Sequence, residues 1–250
     1  MLRHIARLFT LFLALTTLPL AAGEDKAATV LVTGANRGIG LELARQLHSQ
    51  GYAVIGTARK PAQASELQAL DVRVEQLDVT DAASVAALAA TLAEVPIDIL
   101  VNNAGVGGQR VNQLAEIDFE QMAWTFEVNT YGPLRVTQAL LPNLQAGEKK
   151  TVVQISSVMG SIAQNRGGYY SYRASKTALN QLNKSLSIEL GRQGFTCVAL
   201  HPGWVKTRLG GAQAQLEVKE SVAGLVQVID GLEPADNGRF IDFQGEEIPW

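Results

Sequence analysis

Seven short apolar runs alternate along this chain with stretches of helical spacing, and that alternation constrains its fold more than any other feature. The runs are Ala28–Thr33, Tyr52–Thr57, Val72–Leu77, Ile97–Val101, Thr151–Ser156, Thr196–Leu200 and Arg239–Phe243. Between them lie helical patterns from Ile39 to about Gln50, at Ala62–Leu70, from an Asp81 cap to about Glu94, and at Phe119–Gln145, Ser171–Arg192 and Val218–Ile229. The runs are near-continuously apolar rather than alternating, so both faces of each strand are expected to be buried. That is the pattern of a parallel sheet with helices on both sides. No linker-like stretch and no internal repeat interrupts it. One doubly wound α/β domain over residues 24–250 follows.

Composition removes several function classes. A formal charge of −3 on 250 residues gives no clustered basic surface, so a nucleic-acid partner is not expected. Cys197 is the single cysteine, which excludes an intrachain disulfide and a cysteine-based zinc site. His4, His48 and His201 are too far apart in sequence to suggest a histidine metal site, and none is expected.

Residues 1–23 read differently from the rest. Arg3, His4 and Arg7 form a basic start, Leu8–Leu20 is apolar apart from threonines and Pro19, and Ala21-Ala22-Gly23 follows as a cleavage-site pattern. This is the layout of a secretory signal. The run is shorter than the roughly 20 residues of a spanning helix, so a membrane anchor is the second reading. The expected location is therefore exported or membrane-tethered, with a cytoplasmic protein as the alternative.

The chemistry-bearing motifs begin with Thr33-Gly34-Ala35-Asn36-Arg37-Gly38-Ile39-Gly40, between the first strand and the first helix. Glycines there let the backbone turn tightly and approach a pyrophosphate, which the free N–H groups of the helix N-terminus favour. Downstream stand Asn102-Asn103-Ala104-Gly105 at the end of the fourth strand, Asn129 in VNTYGP, and Ile155-Ser156-Ser157 followed by Gly160. Tyr172-Arg173-Ala174-Ser175-Lys176 and Pro202-Gly203 complete the set. Tyr172 and Lys176 are four apart in a helical segment, so they share a face. An ammonium beside a tyrosine is expected to pull its pKa below the ordinary value near 10, toward acid/base work at neutral pH.

In these six motifs and their order, from about Thr29 onward, the chain resembles the short-chain dehydrogenase/reductase family. YYSYRASKTALN, HPGWVKTRLGG and the terminal IPW are similar to its subgroup of sniffer and C-factor-like carbonyl reductases. The resemblance implies a Rossmann domain and hydride transfer between a nicotinamide cofactor and a small carbonyl compound. It implies that Tyr172 is the proton donor, that Ser157 holds the carbonyl oxygen, and that Lys176 holds the nicotinamide ribose. Asn129 is implied to anchor a water linking Lys176 to solvent. The family's serine usually stands thirteen residues before its tyrosine, whereas Ser157 stands fifteen before Tyr172, and counting back thirteen gives Met159. A two-residue insertion within Ser161–Tyr170 accounts for this, with Ser156 and Ser161 as fallbacks for the serine.

Cofactor contacts are expected from Thr33, Gly34, Asn36, Arg37, Gly38, Ile39 and Gly40, from Asn102, Ala104 and Gly105, and from Tyr172 and Lys176. Asp78 and Val79 match the family's adenine side, and Pro202, Gly203, Val205 and Thr207 its carboxamide side. An acid at the end of the second strand would select NAD, but Ala58 stands there. Arg59 and Arg37 flank it as candidates for a 2′-phosphate, so NADP(H) is expected over NAD(H). NADPH is mainly cytosolic, which conflicts with export unless the cofactor travels bound or the domain faces the cytosol.

Cys197 and His201 read as structural, the latter because no carboxylate orients it. Trp204 and Leu209 either line the substrate pocket or pack, and Ile248-Pro249-Trp250 docks on a subunit or the core. A homodimer or homotetramer through the helices at 119–145 and 171–192 is implied by the resemblance. Competing functions are an epimerase or dehydratase on the same fold, and a non-catalytic NADP-binding regulator or signal protein.

Overall fold

The computed structural model describes residues 27–250. Seven strands, β1 (Thr29–Val32), β2 (Ala53–Ala58), β3 (Arg73–Gln76), β4 (Ile99–Asn102), β5 (Thr151–Ile155), β6 (Thr196–His201) and β7 (Phe240–Asp242), form one sheet. Their order is β3-β2-β1-β4-β5-β6-β7, with every neighbouring pair parallel. The helices are α1 (Gly38–Ser49), α2 (Ser65–Gln68), α3 (Ala82–Thr91), α4 (Phe119–Phe126), α5 (Gly132–Ala139), α6 (Leu141–Ala146), α7 (Tyr170–Gly191) and α8 (Val218–Asp230).

Strand side chains alternate between two cores, as the period of two requires. Val30, Val32, Ile99 and Val101 pack on one face with Leu43 and Leu47 of α1 and Leu225 and Ile229 of α8. Leu31, Leu100 and Val152 pack on the other with Leu88 of α3, Val136 of α5, Leu144 of α6 and Leu190 of α7. Both faces are covered, which is the doubly wound fold expected from the apolar runs.

The chain runs outward from β1 to β3 and then returns to place β4 against the other side of β1. This reversal opens a crevice at the carboxyl ends of β1 and β4, the place where such sheets bind ligands. Asp81 caps α3 as expected, its side chain accepting from Ala83 N at 2.9 Å.

Two helical segments differ from the sequence pattern. The continuous region expected over 119–145 is instead α4, a π-type turn at Glu127–Tyr131, α5 and α6. Pro133 and Pro142 supply the reason: each lacks the N–H that would continue the ladder, and each sits at the start of a new helix. The segment expected at Ala62–Leu70 is a 3₁₀ turn, Pro61–Gln63, followed by the single turn of α2.

The expectation of a signal or anchor at residues 1–23 lies outside the described residues. Among the described residues no helix is long and apolar enough to cross a membrane.

Candidate active site

The crevice is built around the glycine turn. Gly34 and Gly38 adopt left-handed φ values of 66° and 57°, which glycine reaches at little cost. A Cβ on Gly34 would stand 3.0 Å from Ala104 Cα. One on Gly40 would stand 2.4 Å from Asn103 Nδ2 and 2.5 Å from the Gly34 carbonyl oxygen. The turn and the end of β4 therefore touch backbone to backbone. Thr33 Oγ1 accepts from the backbone N–H groups of Asn103 (2.9 Å) and Ala104 (3.0 Å), and Asn103 Nδ2 donates to the Thr33 carbonyl at 2.9 Å.

Asn103 is a residue the sequence reading passed over. Its neighbour Asn102 turns the other way, donating to Thr137 Oγ1 of α5 at 3.0 Å beneath the sheet. The Asn102 side chain is thus committed to α5, which leaves only its backbone for a cofactor contact. The doublet of asparagines was the only signal for this, and the strand's alternation decides which of the two faces the turn.

The residues fit a dinucleotide phosphate. Arg37, the N-cap of α1, makes no side-chain cap, and the first turn of α1, with Ile39 at its second position, carries no acid. The positive end of the helix dipole is left for an anion. Arg37 and Arg59 are exposed and neither makes an ion pair among the described residues. Ala58 is 3% exposed at the end of β2, where it pairs with Gln76 of β3 and is followed by Arg59.

Asp78 and Val79 follow β3, where Asp78 Oδ1 accepts from Thr80 and Val79 packs against the Cβ-free face of Gly132. From the far side, Pro202 accepts from Ser221 Oγ, Gly203 has φ 81°, and Val205 is buried. Thr207 Cγ2 lies 3.6 Å from where a Cβ of Gly38 would be, so the segment after β6 closes over the glycine turn.

Gly105 connects this crevice to the catalytic candidates. A Cβ there would lie 3.4 Å from Asn129 Oδ1 and 3.9 Å from Lys176 Nζ. Tyr172 and Lys176 lie on the buried face of α7, one turn apart. Burial raises the Tyr172 phenol above its ordinary value, and a hydrogen bond with Ser157 acts in the opposite direction. Burial pushes the Lys176 ammonium down to about 8. Its Nζ donates to the Ile155 carbonyl at 2.7 Å and lies 6.0 Å from the Tyr172 ring centre. In this arrangement burial outweighs any depression of the tyrosine by the lysine, because both groups are desolvated and the lysine is committed to a backbone oxygen.

Asn129 is fully buried in the π-type turn. Its Nδ2 donates to the Val106 carbonyl (2.9 Å) and to Ser175 Oγ (3.1 Å), while Oδ1 accepts from Val106 N (2.8 Å). These bonds tie the segment that follows Gly105 to α7.

The fallback serines are otherwise engaged. Ser156 Oγ donates to Asn180 Oδ1 at 2.6 Å, and Ser161 Oγ donates to the Pro249 carbonyl at 2.6 Å. Met159 sits in the 3₁₀ turn Val158–Gly160, its N–H bound by Ser157 Oγ at 3.2 Å. Ser157 is the serine facing Tyr172. The longer loop before α7 passes through Gly167, Gly168 and Tyr169 at φ 77°, 65° and 48°.

Trp204 and Leu209 are half-exposed on the segment after β6, where Leu209 meets Gly107 and its carbonyl accepts from Arg110 at 2.8 Å. Trp204 Nε1 donates to the Gly210 carbonyl at 3.0 Å, so neither side chain belongs to the core. Cys197 is fully buried and its thiol is pushed up to about 12. His201 is pushed down to about 4 by burial, opposed by the Asp242 carboxylate, its register partner on β7. A carboxylate is thus close to His201 after all, although His201 Nδ1 has no hydrogen-bond partner.

A doubly wound sheet whose glycine turn opens onto a buried serine, tyrosine and lysine is the arrangement of the dinucleotide-binding oxidoreductases. Residues 28–217 match the family model of the short chain dehydrogenases, and the chain belongs to that family. A solved relative, the NADPH-bound carbonyl reductase from chicken fatty liver, superposes with a TM-score of 0.83 at 36% identity, over 90% of this chain and 99% of that one. The carbonyl reductase Sniffer of D. melanogaster superposes with a TM-score of 0.84 at 33% identity, over 90% and 100%. The C-signal of Myxococcus xanthus is 49% identical over 165 residues, 66% of this chain and 99% of that protein.

Proposed function

We propose that this protein reduces a small aldehyde or ketone with NADPH, Tyr172 delivering the proton. The observation that carries this reading is the convergence of Ser157, Tyr172 and Lys176 at one end of a crevice whose other end is the uncapped N-terminus of α1. When bound, NADPH supplies the hydride. Tyr172 donates its proton to the carbonyl oxygen, and in the reverse oxidation would take it back. The Ser157 hydroxyl holds that oxygen as charge develops on it. Lys176 holds the nicotinamide ribose and, once turned toward Tyr172, eases its reprotonation; Asn129 keeps the Gly105–Val106 backbone in place for it. Arg37 and Arg59 receive the 2′-phosphate.

The test is NADPH and NADH oxidation by residues 24–250 against aldehydes, ketones and quinones. Turnover with NADPH, weaker with NADH, is expected. NADPH binding without turnover on any carbonyl would favour a second reading, a non-catalytic signal protein, which the 49% identity to a C-signal supports. Altered products without net cofactor consumption would favour an epimerase or dehydratase.

The same reading keeps the exported or tethered placement expected from residues 1–23; a full-length cytosolic species on fractionation would overturn it. It also keeps a homodimer or homotetramer, supported by exposed Phe119 and Trp124 on α4 and Ile188 on α7. A monomer in light scattering would count against it.

A further inference from the structure

We propose that Ile248–Trp250 is a strap that positions the Ser157 turn, so that these residues and Ser161 are positioning residues for the reaction. This rests on the reductase reading above.

After β7 the chain turns at Gly245 (φ 87°) and folds back antiparallel along that strand. Asp242 N bonds to the Glu246 carbonyl at 2.9 Å, and Ile248 N to the Phe240 carbonyl at 2.8 Å. Ile248 is buried with Ala199 of β6 and Phe240 of β7, and Val158, the residue after Ser157, packs on the same cluster. The Trp250 ring lies 5.4 Å from that of Phe240. Beyond this apolar contact, the strap supplies two backbone acceptors to the segment after Ser157. Pro249 O receives Ser161 Oγ at 2.6 Å, and Trp250 O receives Ala163 N at 3.0 Å. Ser161 Oγ in turn accepts from Gln164 N at 3.1 Å, so one buried hydroxyl ties the strap to the loop on both sides.

Few other anchors hold this segment on its outer side. On its inner side, Asn180 of α7 holds Ser156, and Thr177 Oγ1 donates to Gly160 O at 2.9 Å. The Val158–Gly160 turn is thus clamped between α7 and the strap. The two residues added between Ser157 and Tyr172 lengthen the loop just beyond this clamp. Without the strap, the turn after Ser157 would be held from the α7 side alone, and Val158 and Ser161 would lose their outer contacts. A displacement of about 1 Å between Ser157 and Tyr172 is enough to cost a large factor in rate.

The full chain is compared with Ser161→Ala, Trp250→Ala and Trp250→Phe. Amide exchange is followed at residues 157–163, with residues 33–40 as the internal reference, together with NADPH affinity and kcat. Ser161→Ala and Trp250→Ala are expected to speed exchange at 157–163 about tenfold and to lower kcat about five- to twentyfold. NADPH affinity should stay within about twofold and exchange at 33–40 should not change, because the strap touches neither the glycine turn nor α1. Trp250→Phe, which keeps a ring against Phe240, should restore both quantities. Unchanged exchange at 157–163 overturns the proposal. So does faster exchange with wild-type kcat, or a parallel loss of NADPH affinity, which would mean general loosening. If the wild-type chain turns over no carbonyl, the reductase reading fails separately, and the exchange pattern alone decides the strap.

Discussion

Replacing Lys176 with methionine should abolish turnover and yet stabilise the fold, by an amount that shrinks as pH rises. The side chain is 5% exposed, and burial lowers its pKa from 10.5 to about 8. A base with a depressed folded value binds its proton less tightly in the folded chain, so between about 8 and 10.5 the unfolded chain carries more protons. Wild-type stability therefore rises with pH across that window. At about 1.4 kcal/mol per pH unit, the burden of the buried ammonium at pH 7 is about 3 kcal/mol. By pH 10 less than about 1 kcal/mol of it remains.

Methionine fills similar space without a charge, but it leaves the Ile155 carbonyl without its donor, a cost of about 1–3 kcal/mol that does not vary with pH. The difference in unfolding free energy between Lys176→Met and wild type should thus fall by about 2 kcal/mol or more from pH 7 to pH 10. Titrating groups far from Lys176 cancel in that difference. Urea denaturation at four or five pH values across the range measures it. A pH-independent difference, or one that grows with pH, would refute the argument that the lysine is held at the expense of stability.

Four further outcomes follow from the site. Gly40→Ala would drive a methyl group against the Gly34 carbonyl and Asn103 Nδ2, and is expected to destabilise by about 1–3 kcal/mol and to weaken NADPH binding in a fluorescence titration. Ser157→Ala should lower kcat by about 10²-fold, as loss of an oxyanion-type donor does. Ser156→Ala should leave kcat nearly unchanged and instead lower the melting temperature, since it orphans Asn180 Oδ1. Arg37→Ala combined with Arg59→Ala should raise the KM for NADPH about tenfold or more and leave that for NADH within about twofold, because only the 2′-phosphate distinguishes the two. Equal effects on both cofactors would place the arginines elsewhere.

The fold was largely legible because it is written in short-range terms. The apolar runs that gave the strands are buried on both faces except at the sheet edge, where all four residues of β3 are exposed or half-buried, and the cap at Asp81 forms as its residue type requires. What the pattern hid were breaks caused by single residues. Pro133 and Pro142 interrupt an otherwise helical period, and the π-type turn that buries Asn129 lies directly before the first of them.

At the site, identity and spacing located Tyr172, Lys176 and Ser157, but not the electrostatics between them. Proximity on one helix face suggested that the lysine acidifies the tyrosine. Only the three-dimensional contacts show both groups desolvated and the lysine turned to Ile155. Likewise Asn102 and Asn103 are indistinguishable by type, and the sheet's alternation sends one below the sheet and the other to the glycine turn. The roles of Ser161 and of the last three residues depend on contacts between positions far apart in sequence, which no local pattern encodes.

The most direct test of the account is NADPH oxidation in the presence of a reducible carbonyl by wild type and Tyr172→Phe, with NADPH affinity measured for both. The variant should bind NADPH within about twofold of wild type and lose about 10³-fold or more in kcat, as removal of the proton donor requires. A variant that retains turnover within about tenfold of wild type would show that the proton comes from elsewhere and would contradict the assignment of Tyr172.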